Sequence, residues 1–268
     1  SATTLSNTST RDQSITQSSP TVWQWVVGGL GVVTVIAFVV YLVTAISFLN
    51  RPFIGAMVSH TLVVNAGQPT SNQAWPATSG EDSLQRGDQI IAINGETLFP
   101  TEARTDYSAA FANYNATLNG LAGSITPIEI TFLRADGAAS YCETSEGAMA
   151  TCTLTVTPLS SFPGIDFIAY FVTPYFGGLI LIGLGLLVVY FKFDAPQGII
   201  ASAIAFSSAI YTGGLFDAGT QAVLAPLWLL SACLGGASMA VLGITFPKRL
   251  HITRQLKYIE YIVLFSMG

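Results

Sequence analysis

The chain has 268 residues and a formal net charge of −5, yet only 9% of its residues are charged and 51% are hydrophobic. Ordinary globular domains carry about 25% charged residues, so this composition, with a mean hydropathy of +0.56, excludes a fully soluble protein. An acidic pI of 4.8 also excludes nucleic acid as a partner.

Residues 1–21 are rich in Ser and Thr and poor in apolar side chains, which predicts a disordered tail. Charge then vanishes in three stretches: between Asp12 and Arg51, between Asp166 and Lys192, and between Asp217 and Lys248. A helix needs about 20 apolar residues to cross a bilayer. The gaps predict a multi-pass α-helical membrane protein with four full spans, at 22–49, 165–193, 196–216 and 222–247. The first is too long, and lacks the basic flank, for a cleaved signal peptide with its apolar core of about 7–15 residues. Residues 258–268 begin a fifth apolar helix that would rise only about 16 Å, so the chain is expected to continue past Gly268.

Lys248, Arg249, Arg254 and Lys257 form the densest basic patch, the 248–257 loop. The positive-inside rule makes it cytoplasmic, where it would meet anionic lipid head groups. Alternating spans then put the N-terminus in the cytoplasm and 50–164 on the extracytoplasmic side of the cell membrane. Residues 50–166 hold four arginines against eleven acids, a scarcity of basic residues compatible with that side. Cys142 and Cys152 flank a short polar loop there; in an oxidising compartment they either bridge a hairpin or remain neighbouring free thiols. Cys233, inside the fourth span, reads as a small packing residue.

Between the first two spans the periodicity changes. Residues 53–64 are apolar and β-branched, as in a strand, and 89–95 form a short strand ending in Asn94-Gly95, a strong turn signal. Residues 102–123 carry Ala103, Tyr107, Ala110, Phe111, Tyr114 and Leu118 at helical spacing. Residues 127–137 alternate Ile128, Ile130 and Phe132 inward, and 152–159 alternate again. Together these predict an α+β unit of about 110 residues, enough for one core.

The stretch "LQRGDQIIAINGETL" resembles the signature of PDZ domains. Gly87 and Asp88 make a tight turn, Ile90, Ile91 and Ile93 pack inward, and Asn94 and Gly95 turn the chain toward the helix. "RPFIGAMV" resembles the carboxylate-binding loop and following strand of bacterial PDZ domains, although Pro52-Phe53 replaces a Gly-rich loop. The resemblance implies that a peptide or protein partner docks by strand addition. Phe53, Ile54 and Gly55 would form the loop, Ala56 and Met57 the receiving edge, and the 102–118 helix the opposite wall. The alternative is a fold of this kind that binds no peptide and packs on neighbouring protein.

PDZ-like units stand beside membranes in site-2 proteases, periplasmic serine proteases and multi-pass bacterial sensor kinases. The first chemistry needs paired histidines on a helix and the second a histidine beside a serine. His60 and His251 are the chain's two histidines; they form no such pair, and His60 falls in a predicted strand. No phosphate loop is present and no charge lies inside a span, so no catalytic residue, metal or cofactor is expected. Ala232, Gly236 and Ala240, the parallel pair Ser231 and Gly235, and Gly178 in the second span predict close packing against other transmembrane helices. Two functions fit: the input half of a membrane sensor whose effector follows Gly268, or an accessory subunit of a larger membrane complex.

Overall fold

The computed structural model describes residues 22–65, 67–70, 74–80, 83–101, 104–121, 126–135, 142–143 and 149–245. The predicted N-terminal tail, the basic 248–257 loop and the 258–268 helix start lie outside the described residues.

Among the described residues, three helices are long and apolar enough to cross a membrane: Val22–Leu49, Gly164–Lys192 and Ala225–Ile244. Helix α1 (Val22–Leu49) buries Val27, Gly31, Thr34, Phe38, Tyr41 and Ala45, which recur every three or four residues on one face. Its other faces present valine and isoleucine outward, as suits a helix solvated by hydrocarbon, where main-chain groups must be satisfied internally. The 164–192 helix is α3 (Gly164–Phe167), a π-helical turn (Ile168–Val172) and α4 (Thr173–Lys192). Pro174, which has no N–H to donate, lies two residues past that wider turn, in the first turn of α4.

The predicted third span is α5 (Pro196–Gly213), only 18 residues long and interrupted by Gln197, Ser202, Ser207 and Ser208. It falls short of the other three in apolarity because it is the central helix. It packs against α1, α4 and α7 (Ala225–Thr245), and eight of its residues are buried. Neighbouring helices shield its hydroxyls, and Ser202 returns its own to the Gly198 carbonyl (2.9 Å). A short helix, α6 (Leu215–Gly219), links α5 to α7.

Between α1 and α3 stands an antiparallel five-stranded sheet in the order β2-β1-β3-β5-β4. The strands are β1 (Gln89–Ile93), β2 (Glu96–Thr97), β3 (Ile128–Arg134), β4 (Cys142–Glu143) and β5 (Ala150–Val156). Ile128, Ile130 and Phe132 alternate into the core against α2 (Tyr107–Gly120), which contributes Ala110, Tyr114 and Leu118 from one face. Asp106 caps α2 by accepting the Ala109 N–H at 3.0 Å. Asn94 and Gly95 both sit at positive φ (52° and 75°) between paired Ile93 and Glu96, the requirement of a two-residue type I′ turn. Cys142 and Cys152 are disulfide-bonded across the β4–β5 pair.

The single strand expected over 53–64 is not formed. The chain doubles back through Ser59–Leu62, with Leu62 at φ 60°, and Val58 pairs with Val64. The turn contains no Gly or Pro and so carried no sequence signal. Residues 53–58 thereby become a short edge segment bridged to Leu159 through Phe53.

Candidate functional site: the groove between the 53–58 edge and helix α2

In an antiparallel pair the alternate residues turn their N–H and C=O groups away from the partner strand. Here Met57 accepts from the Asn65 N–H (2.8 Å) and Ser59 donates to Val63 (2.9 Å). Ala56 and Val58 are the alternate residues. Their N–H and C=O groups bond to nothing among the described residues, nor do the N–H groups of Ile54 and Gly55. Yet Ile54 is 1% exposed and Ala56 and Val58 are each 4% exposed. Buried backbone groups without partners are rare in native proteins, and here they cluster on one short edge.

Opposite that edge lies α2, whose Tyr114, Asn115 and Leu118 line a cavity together with Ile54, Ala56 and Val58. Burial pushes the Tyr114 hydroxyl far above the ordinary phenol pKa, so this wall is neutral. Phe48, at the end of α1, and Thr220, following α6, also line it, so the membrane helices complete the site. The space available is only about 20 Å³.

The five residues expected to form the loop and edge divide between two cores. Ile54 and Ala56 join the sheet core, while Phe53 and Met57 join the helices. Gly55 is at φ +88°, and a Cβ there would run into the Pro76 nitrogen. Its carbonyl accepts from Thr78 Oγ1 (3.0 Å), and Ile54 O accepts from the Ala77 N–H (3.2 Å). The loop is therefore clamped from behind by 75–78.

Gly87 is at φ +96°. Asp88 is buried and takes the Arg134 guanidinium on both oxygens, Nε at 3.0 Å and Nη2 at 2.6 Å. It also accepts the Gln85 N–H (2.7 Å), so its work is to staple the 83–88 turn to β3. Asn94 Oδ1 accepts the Glu129 N–H at 2.9 Å. None of Gly87, Asp88, Asn94 and Gly95 lines the cavity; they shape the scaffold behind it.

A joint between sheet domain and helices was not anticipated. Asp166, fully buried near the start of the second membrane helix, accepts from Trp75 Nε1 (2.7 Å), the Thr70 N–H (2.8 Å) and Thr70 Oγ1 (2.6 Å). Around it is an aromatic collar. Phe53 contacts Phe162 and Trp75 with ring centroids 4.7 and 5.1 Å apart. Phe216 of α6 meets Phe48 at 5.4 Å and Phe162 at 5.7 Å. Each such pair adds about 0.5–1.5 kcal/mol beyond its burial.

The residues expected to pack helices divide between inward and outward faces. Gly178 does sit in a close approach, where a Cβ would collide with Phe38 and come within 3.1 Å of the Ala209 carbonyl. Ala232 and Gly236, by contrast, face outward and Ala240 is only half-buried. The inward face of α7 is the one turned by a single residue, with Ser231, Gly235 and Ser238 buried, and a Cβ on Gly235 would lie 3.4 Å from Ser207. Both rows have small residues at fourfold spacing, so periodicity alone does not choose between them. Cys233, expected to pack, is exposed.

Among the described residues, no group of three His, Cys, Asp or Glu side chains could hold a metal ion. His60 is exposed in the 59–62 turn. No family model, no curated protein and no solved structure matches the chain.

Proposed function

We propose that this chain is a membrane-embedded recognition module whose PDZ-like outer domain binds an extended peptide by strand addition along 56–58. The observation that carries this reading is the row of unpartnered backbone groups at 54–58, on an edge that lines a cavity together with α2. An added strand would satisfy them. Ligand occupancy would be felt by the helices, because the strand that receives it turns Phe53 and Met57 into the collar. This supports the role of input region in a larger signalling protein.

The proposal includes four spans. The end of α1, the start of α3, α6 and the start of α7 all gather beside the sheet domain, while Gln24 of α1 reaches Phe193 at the opposite end (3.0 Å). That arrangement supports α5 crossing with the others. It also supports placing the sheet domain and its disulfide outside, away from the basic 248–257 loop. The outward row of Ala232, Gly236 and Ala240 favours a second reading, an accessory subunit packed against a partner helix.

Amide hydrogen exchange on the full chain in lipid nanodiscs tests the recognition role. Amides of Ile54, Gly55, Ala56 and Val58 should exchange faster than those of β3. They should become protected when a mixed-sequence decapeptide pool is added. Exchange at these four amides that no pool alters would refute it.

A further inference from the structure

We infer that α2 is a lid, closed beside the 54–58 edge in this structure, and that Asn113 latches it. This rests on the strand-addition reading above and states what must move before a strand can enter.

Space is the first argument. An added strand lies about 4.8 Å from its neighbour and brings its own side chains. The cavity between the edge and α2 holds only about 20 Å³, room for one water-sized group. Ile54, Ala56 and Val58 are nevertheless no more than 4% exposed. The unpartnered N–H and C=O groups along this edge are thus shut away from water as well as from a partner strand. Burying such groups is costly, which favours an opening that wets them.

The second argument is which wall can yield. The edge is clamped from behind by Thr78 and Ala77, at 3.0 and 3.2 Å. Phe48 is fixed in the aromatic collar by Phe53, Phe162 and Phe216. Thr220 returns its hydroxyl to the Phe216 carbonyl (2.7 Å). Helix α2 has less to hold it. It rests on the core through Ala110, Tyr114 and Leu118. Among the described residues a single hydrogen bond ties it to a distant segment, from Asn113 Nδ2 to the Leu98 carbonyl (2.8 Å). Asn113 does not line the cavity, so its bond fastens the helix without meeting an entering strand. Tyr114 and Leu118 do line it, and moving α2 aside withdraws both while the sheet keeps its own strand pairing.

A site that is open only part of the time binds more weakly by that fraction. Loosening the latch must therefore raise amide exchange at the edge and affinity by one common factor.

Amide exchange of the full chain in nanodiscs, with and without the mixed-sequence decapeptide pool, tests this with Asn113→Ala. Loss of one neutral hydrogen bond should raise the open fraction about fivefold. The Ile54, Gly55, Ala56 and Val58 amides of the free variant should then exchange about fivefold faster. The pool concentration giving half-protection should fall about fivefold. Asn113→Asp, which keeps the size and loses the donor, should do the same. General loosening of the fold would speed exchange without tightening binding, because the pool binds only the folded edge. Faster exchange with unchanged or weaker binding, or no change in either, overturns the lid while leaving strand addition intact. A pool that protects neither parent nor variant overturns both.

Discussion

Replacing Asp166 by alanine should loosen the attachment of the sheet domain more than any other single change at the joint. The carboxylate is fully buried and, from Thr70 and Trp75, receives three hydrogen bonds at 2.6–2.8 Å. A hydrogen bond to a charged group contributes about 1.5–3 kcal/mol, and leaving a buried donor unpaired costs about 1–3 kcal/mol. The three share one acceptor group and do not add, so Asp166→Ala should cost about 3–5 kcal/mol. Trp75→Phe removes one donor while keeping most of the ring contact, and should cost about 1–2 kcal/mol. At about 2–4 °C per kcal/mol for a chain of this size, Asp166→Ala lowers the melting temperature by about 6–20 °C. Near-ultraviolet circular dichroism of the full chain in nanodiscs reads this out through the buried aromatic collar. A melting temperature within about 2 °C of the parent would show that Asp166 does not hold the joint.

Gly178→Val should separate α1, α4 and α5, because any Cβ there meets Phe38; Gly236→Ala, with nothing within 4 Å of its Cβ, should be neutral in a parallel melt. Asp88→Ala strands a buried guanidinium and should cost about 3–5 kcal/mol, read as a lower denaturant midpoint for the sheet domain. Asp217 has its carboxyl held above the ordinary carboxylate range, chiefly by burial, against the lowering effect of the Leu224 and Val223 N–H groups. The folded chain thus binds this proton more tightly than the unfolded one. The stability it contributes is complete below the unfolded value of 3.8 and is lost as pH rises through the raised value. Asp217→Asn should remove that slope from melting temperatures measured between about pH 4 and 7; an unchanged slope would assign it to another group.

The long helices were legible because hydrocarbon demands a composition that water-exposed segments never show, and β3 was legible from Ile128, Ile130 and Phe132 alone. Asn94-Gly95 declared its turn through the φ values it tolerates. The reversal at 59–62 was hidden, since Leu62 adopts positive φ with no glycine to signal it. Arg134 is 46 residues from the carboxylate it neutralises, and Asp166 is 91 residues from the indole it binds; no local pattern links such pairs. In sequence, Asp166 served only to mark where an uncharged stretch began. The cavity itself could not be read, because Phe48 reaches it from the first span and Thr220 from the loop between the third and fourth.

The collar has a practical consequence for handling the protein. A fragment cut at 50 and 163 would keep its sheet core but lose every helix that covers Phe53, Met57, Trp75 and Phe162. Those side chains would become one contiguous sticky surface, inviting self-association of the excised piece. The sheet domain is thus a poor candidate for isolated biophysics unless that surface is first rewritten with polar residues, because the cavity in such a fragment would be missing two of its walls.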